Sequence, residues 1–247
     1  MGALHISFQH FIFLLFVVRS LTLLLPSKEI GFKHRGKLTR LLSGPSTEVI
    51  PKLATQPPLK VLLLVEPTPF NYVSGYANRF KEMLNYFKKA GDDVYIMTPD
   101  RDKEAPKEYN GFKIESPRGF ELFMYKHVTC TFDFRFKIKR MIKSFQPDLI
   151  HCSTPSAIVY PAALWAKLFN IPLVMSYHTD LAGYAKSYLP VTGSVGLSNF
   201  LVKFFHQQAD LVLATSPQLK KQMEGLGIDR VDVWQKGINA EVGYQPC

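Results

Sequence analysis

With 247 residues, 28.1 kDa, 47% hydrophobic and 20% charged side chains, the chain is long enough for one large domain with a substantial core. A net charge of +10 and a pI near 9.4 suit anionic partners such as nucleic acid, nucleotide phosphates and acidic membrane surfaces, and do not choose among them. The three cysteines, Cys130, Cys152 and Cys247, lack any C-x-x-C spacing, which excludes a disulfide framework and a cysteine zinc site.

The first element in chain order is "FIFLLFVVRSLTLLL", residues 11–25. It falls short of the roughly 20 apolar residues of a spanning helix and carries Arg19 near its middle, so it reads as a signal-type apolar segment. Residues 27–57 are basic, rich in Ser and Thr and poor in acids, as transit peptides are: Lys28, Lys33, Arg35, Lys37, Arg40 and Lys52 face only Glu29 and Glu48. Residues 1–57 are therefore expected to be a targeting leader. The competing reading is a disordered basic linker behind a membrane anchor.

From Leu59 onward, short aliphatic runs alternate with segments of helical period. Residues 59–65, 93–98, 112–116, 148–153, 171–178, 210–215 and 231–235 read as strands, and runs apolar on both faces indicate a parallel sheet covered on both sides. Helices are expected at about 76–90, 133–145, 156–169, 194–208 and 217–226. Gly91 closes the first, Pro155 with Ser156 opens the third, and Ser216 with Pro217 supplies an N-cap followed by an N1 proline. Strand–helix alternation of this kind predicts an α/β fold, a doubly wound parallel Rossmann-like sheet.

Such sheets bind ligands beyond the carboxyl ends of their strands, which directs the search for a site. "VEPTPFNYVSGYANRF" (65–80) leaves the first strand, and its Gly75 would let a ligand approach backbone N–H groups at a helix start, with Phe70 and Tyr72 as walls. Against this, one glycine can simply make a turn, and the three glycines of G-x-G-x-x-G are absent. His178 in "SYHTD" ends another strand beside Tyr177, Thr179 and Asp180, although a lone histidine is often a core or capping residue. "DRD" (100–102) is a solvated loop before it is a metal site, and His151 with Cys152 supplies too few ligands for one. "FDFRFKIKRMIKSF" (132–145) sets Phe134, Ile138, Met141, Ile142 and Phe145 on one helical face among Arg135, Lys137, Lys139, Arg140 and Lys143. The stripe fits packing on the sheet, and the basic density suits an anionic bilayer surface.

"VEPTPFNYVSGYANRF", "PDLIHCSTPS", "IPLVMSYHTD" and "VDVWQKGIN", in this order over residues 59–242, resemble the sulfoquinovosyltransferases of sulfolipid synthesis, within a large family of retaining glycosyltransferases. The resemblance implies the N-terminal half of a two-domain GT-B architecture, with an acceptor-side domain over 58–237. It further implies a hinge starting at Lys236 and Gly237 and continuing through 238–247, and a donor-binding half beyond Cys247. "GINAEVGYQPC" departs from the family's hinge at Asn239 and Gly243. The isolated chain is accordingly expected not to turn over alone.

Carried onto this sequence, the resemblance gives Ser74 and Gly75 the donor-phosphate loop and makes His178 the catalytic residue, in contact with the transferring sugar and the acceptor hydroxyl. It places Tyr72, Tyr177, Asp180 and Tyr184 on the acceptor side. The implied reaction moves sulfoquinovose from its UDP conjugate to diacylglycerol with retention, without metal or cofactor. It takes place at an anionic membrane surface of the plastid, with no nucleic-acid partner. Transfer of glucose or mannose to lipid, or a non-catalytic membrane- or nucleotide-binding module, are the alternatives.

Overall fold

The computed structural model describes residues 57–99, 106–117, 119–122, 125–131, 133, 135–188 and 193–234. Strands β1 (Lys60–Leu64), β2 (Asp93–Met97), β4 (Phe112–Glu115), β7 (Leu149–Thr154), β8 (Leu173–Tyr177), β9 (Leu211–Ala214) and β10 (Val231–Val233) form one parallel sheet. The short β3 (Glu108–Tyr109) pairs antiparallel with β4 at one edge. The spatial order is β10-β9-β8-β7-β1-β2-β4-β3. From β1 the chain winds outward through β2 and β4, then returns to the other side of β1 at β7. The reversal lies between β1 and β7, and the crevice beyond their carboxyl ends is where such sheets hold ligands.

Helix α1 (Gly75–Ala90) covers one face, packing Phe80 and Leu84 against Val61, Leu63, Val65, Val94 and Ile96. Helices α2 (Lys137–Phe145), α3 (Val159–Phe169), α5 (Ser194–His206) and α6 (Pro217–Gly225) cover the other with Ile138, Met141, Ala162, Val202 and Met223, over Leu62, Leu64, Ile150, Met175 and Val212. Alternate residues of β1 thus enter different cores, which explains a strand apolar on both faces. Truncating Phe80 alone, fully buried, would cost about 3–5 kcal/mol.

Aspartates latch the amino ends of the strands. Leu59 N–H donates to Asp92 (2.8 Å), Lys60 N–H to Asp148 (3.1 Å) and Leu173 N–H to Asp210 (2.9 Å), each carboxylate reaching a neighbouring strand and helping to fix register. Two helix signals hold as read: Gly91 ends α1 in the left-handed region at φ 82°, and the Ser216 hydroxyl accepts from Leu219 N–H (3.2 Å) ahead of Pro217.

Other boundaries differ. Helix α2 starts at Lys137 and not near 133, because the Asp133 carboxylate accepts from the N–H groups of Lys137 (2.6 Å) and Ile138 (3.0 Å) and fixes the start there. Helix α3 begins at Val159, not at Pro155–Ser156, and the N–H groups of Ala157 and Ile158 just ahead of it donate to Glu66. Helix α4 (Leu181–Tyr188), strand β3, and the antiparallel pair β5 (Phe120–Leu122) and β6 (Tyr125–Cys130) add to the expected elements. Residues 1–56, "DRD", Phe134, the hinge pair Lys236 and Gly237 and all that follows lie outside the described residues.

Candidate functional site

Glu66, the second residue after β1, is only 2% exposed and stands at the switch point. Its carboxylate accepts the N–H groups of Thr131, Ala157 (2.6 Å) and Ile158 (3.2 Å). Its own N–H donates to the Ser153 hydroxyl (2.9 Å), and its carbonyl accepts from the Tyr76 hydroxyl (3.0 Å). The ends of β1, β6 and β7 and the starts of α1 and α3 therefore meet on one residue, through its carboxylate and its own peptide groups. Burial pushes the acid up to about 7, while the three backbone donors act in the opposite direction.

This carboxylate also decides which helix can receive an anion. The first N–H groups before α3 are taken by Glu66, and at α4 the Asp180 carboxylate accepts from Gly183 N–H (3.0 Å). The start of α1 is more open. The Ser74 hydroxyl accepts from Ala77 N–H (3.0 Å), and a Cβ placed on Gly75 would meet no atom within 4 Å. Gly75 does not adopt a positive φ, so its missing side chain serves space and not a turn. Exposed Tyr72 and partly buried Phe70, the latter 5.2 Å from the Tyr109 ring, flank this loop.

His178, the residue after β8, lies close to the same helix. Its ring is T-shaped to Tyr76 (5.0 Å) and Trp234 (5.6 Å) and tilted to Phe80 (5.1 Å). Its Nε2 is 2.8 Å from the Ser176 hydroxyl, which lies 3.0 Å from Nε2 of buried His151. Burial, followed by His151 and Arg79, holds His178 down to about 3, and burial alone lowers His151 to about 4. Both rings are neutral at physiological pH. The Arg79 guanidinium caps the cluster, lying 5.1 Å over the Trp234 ring and donating to its carbonyl (2.7 Å).

The structure thus brings Ser74, Gly75 and His178 to one mouth, joined through Tyr76. Tyr177 points to the opposite core: it is 2% exposed, stacks edge-on against His206 (5.2 Å), and its hydroxyl accepts Leu181 N–H (2.8 Å). There it caps α4 and does not line the mouth. Asp180 is exposed and accepts from the Gln222 amide (3.0 Å) as well as capping α4, while Tyr184 is exposed on that helix. Cys152 faces away from His151 into the other core, where burial raises its thiol far above the ordinary range. Among the described residues no group of three His, Cys, Asp or Glu side chains could hold a metal. No helix among them is long and apolar enough to cross a membrane.

Sequence reasoning missed Glu66, Tyr76, Ser153, Ser176 and Trp234. For Glu66 the signal was available: a charged residue directly behind a fully aliphatic strand must be paired or exposed. The contributions of Ser176 and Trp234 depend on which strands are neighbours and left no local pattern.

Residues 73–242 match the model of Glycosyltransferase Family 4. The chain is 34% identical over 187 residues to a sulfoquinovosyl transferase of Arabidopsis thaliana, a match covering 74% of this chain and 36% of that protein. It is 26% identical over 174 residues to a GDP-mannose-dependent alpha-mannosyltransferase of Mycobacterium tuberculosis, covering 68% of this chain and 45% of the relative. With an alpha-monoglucosyldiacylglycerol synthase of Streptococcus pneumoniae it shares 27% identity over 158 residues, 62% of this chain and 34% of the relative. The chain spans between a third and a half of the length of these relatives.

Proposed function

This chain belongs to Glycosyltransferase Family 4, and from that premise we propose that it is the acceptor-side half of a GT-B enzyme moving sulfoquinovose from UDP-sulfoquinovose to diacylglycerol with retention. The observation that carries the reading is the shared mouth of Gly75 and His178 at the switch point, in a chain 34% identical to a sulfoquinovosyl transferase. Retaining transfer develops oxocarbenium-like character on the sugar and negative charge on the departing diphosphate. The open start of α1 directs backbone N–H dipoles at such a charge without reorganisation. Neutral His178 holds a sugar hydroxyl in place. The nucleotide-sugar is a substrate, and the scheme uses neither metal nor resident cofactor.

The lipid acceptor places the reaction at a bilayer, and the exposed Arg135, Arg140 and Lys143 around α2 suit an anionic leaflet such as that of a plastid membrane. The test is to fuse this chain to the C-terminal half of the Arabidopsis relative and offer diacylglycerol with UDP-sulfoquinovose, UDP-glucose or GDP-mannose. Formation of sulfoquinovosyl-diacylglycerol supports the proposal. Transfer of glucose or mannose alone would replace it with the glucosyl or mannosyl transfer that the names of the other relatives carry.

A further inference from the structure

The Ser176 hydroxyl sits between two histidines. It is 2.8 Å from Nε2 of His178 and 3.0 Å from Nε2 of His151, and it is fully buried. A hydroxyl has one proton to donate, and a neutral imidazole has one N–H and one bare nitrogen. If neither Nε2 carried a proton, one ring would face Ser176 lone pair to lone pair. If both did, the hydroxyl proton would need a third acceptor, and the described residues provide none. The arrangement that satisfies every group has one Nε2–H donating to Ser176 and the other Nε2 accepting from it.

The surroundings select the direction. His151 is 4% exposed and its Nδ1 has no protein partner among the described residues, so a proton placed there would have no protein acceptor and little solvent to donate to. A bare nitrogen on that side of the ring is the less costly alternative, which makes His151 the Nε2–H donor. His178 is only partly buried, and its Nδ1 likewise has no protein partner among the described residues, but it stands at the mouth, within reach of solvent or ligand. We propose that Ser176 and His151 are positioning residues that hold His178 in its Nδ1–H tautomer, so that the ring offers a hydrogen-bond donor to an oxygen of the bound ligand. The relay runs from His151 Nε2–H to Ser176 Oγ and from Ser176 Oγ–H to His178 Nε2. The burial that keeps both rings neutral removes the competing cationic forms. In this tautomer His178 selects acceptor oxygens at the mouth and cannot take a proton from a nucleophile through Nδ1.

The inference deepens the proposed function, since it takes His178 as the ligand-facing residue, but its readout does not depend on turnover. Long-range proton–nitrogen correlation of the 15N-labelled full chain, with His178 assigned by difference from His178→Gln, reports which ring nitrogen is protonated. At neutral pH we expect a protonated Nδ1 and a bare Nε2 for His178, and a protonated Nε2 for His151. Ser176→Ala should move the His178 Nε2 resonance toward the protonated position as the tautomers mix. Ser176→Thr, which keeps the hydroxyl, should restore the wild-type pattern. A wild-type His178 with a protonated Nε2, or resonances unmoved in Ser176→Ala, would overturn the relay, and the wild-type spectrum decides even if the alanine variant does not fold. A correct tautomer in a fusion enzyme that transfers no sugar would count against the proposed function alone.

Discussion

The Glu66 carboxylate accepts the backbone N–H of Ala157 at 2.6 Å, fastening the end of β1 to the turn that launches α3, ninety-one residues later in the chain. With its bonds to Thr131 and Ile158, this makes one buried acid the tie between three segments that border the switch point. Glu66→Gln keeps the size but turns an amide, itself a donor, against backbone donors. We expect a loss of about 1–3 kcal/mol in chemical denaturation. A variant as stable as the parent would show that the tie contributes little.

Four buried groups, His151, His178, His206 and Glu66, carry the large shifts that dominate the response to acid. Burial lowers His151 and His206 to about 4 and His178 to about 3 from an ordinary 6.5, so below pH 6.5 the unfolded chain takes up protons that the folded chain refuses. Stability from these groups is complete above 6.5 and is lost as pH falls toward 4. Glu66, raised to about 7 from 4.5, has the opposite sign, because the folded state holds its proton more tightly across that window. Three histidines against one acid leave a net uptake of roughly two protons on unfolding near pH 5.5. Denaturation midpoints should therefore rise with pH between about 4.5 and 6.5, and more steeply in Glu66→Gln. A flat profile would contradict this.

Gly75→Ala separates fold from ligand. The added methyl meets nothing within 4 Å and the backbone there needs no positive φ, so stability should hold or rise by up to about 1 kcal/mol. If the space serves a phosphate, transfer by the fusion enzyme should fall roughly ten- to a hundredfold. Unchanged transfer would return Gly75 to a plain helix start.

His178→Ala should affect both properties. The ring touches Tyr76, Phe80 and Trp234 and bonds Ser176, so its loss should cost about 1–2 kcal/mol even if the residue exists for the ligand. Transfer corrected for the folded fraction should drop about a hundredfold. Normal specific activity of the folded fraction would assign His178 to structure alone.

Lipid binding is checked by flotation with anionic and neutral vesicles. In α2 the apolar stripe of Ile138, Met141 and Ile142 is core and Lys137 is paired with Glu115 at 2.5 Å, which leaves Arg135, Arg140 and Lys143 as the exposed cations. Replacing all three with glutamine should weaken anionic binding by roughly a hundredfold, at about 1 kcal/mol each, and added salt should do likewise. Equal binding to neutral vesicles would argue against an electrostatic dock.

The strands were legible because each is a short aliphatic run whose two faces enter different cores, as Leu62 and Leu63 do on β1. Gly91 and Ser216 were legible because caps have local chemistry. The start of α2 was misread because Asp133 acts as a cap four residues ahead of the helix, and helical period alone cannot see that. At the site, strand-end position pointed to His178 and Gly75, whereas the acceptor-side expectation for Tyr177 came from the family resemblance and not from its place on the strand. One step along a strand reverses the face, and Tyr177 is on the core side of that alternation. Ser176 meets His151 across 25 residues of sequence, Glu66 meets Ile158 across 92 and Trp234 meets Arg79 across 155, and such partnerships exist only once the sheet order is known.

The sequence contains two tryptophans, and they stand in opposite surroundings. Trp165 lies on α3 between Phe136 and Phe169 with Lys139 above it, while Trp234 meets Phe80, His151 and His178 edge-on under Arg79. A Trp165→Phe chain would consequently emit from the mouth alone. Its indole, pressed against a guanidinium and two imidazoles, is a built-in optical gauge: a nucleotide-sugar or acceptor entering beside His178 would change its colour and brightness, and occupancy could be followed by titration without any turnover.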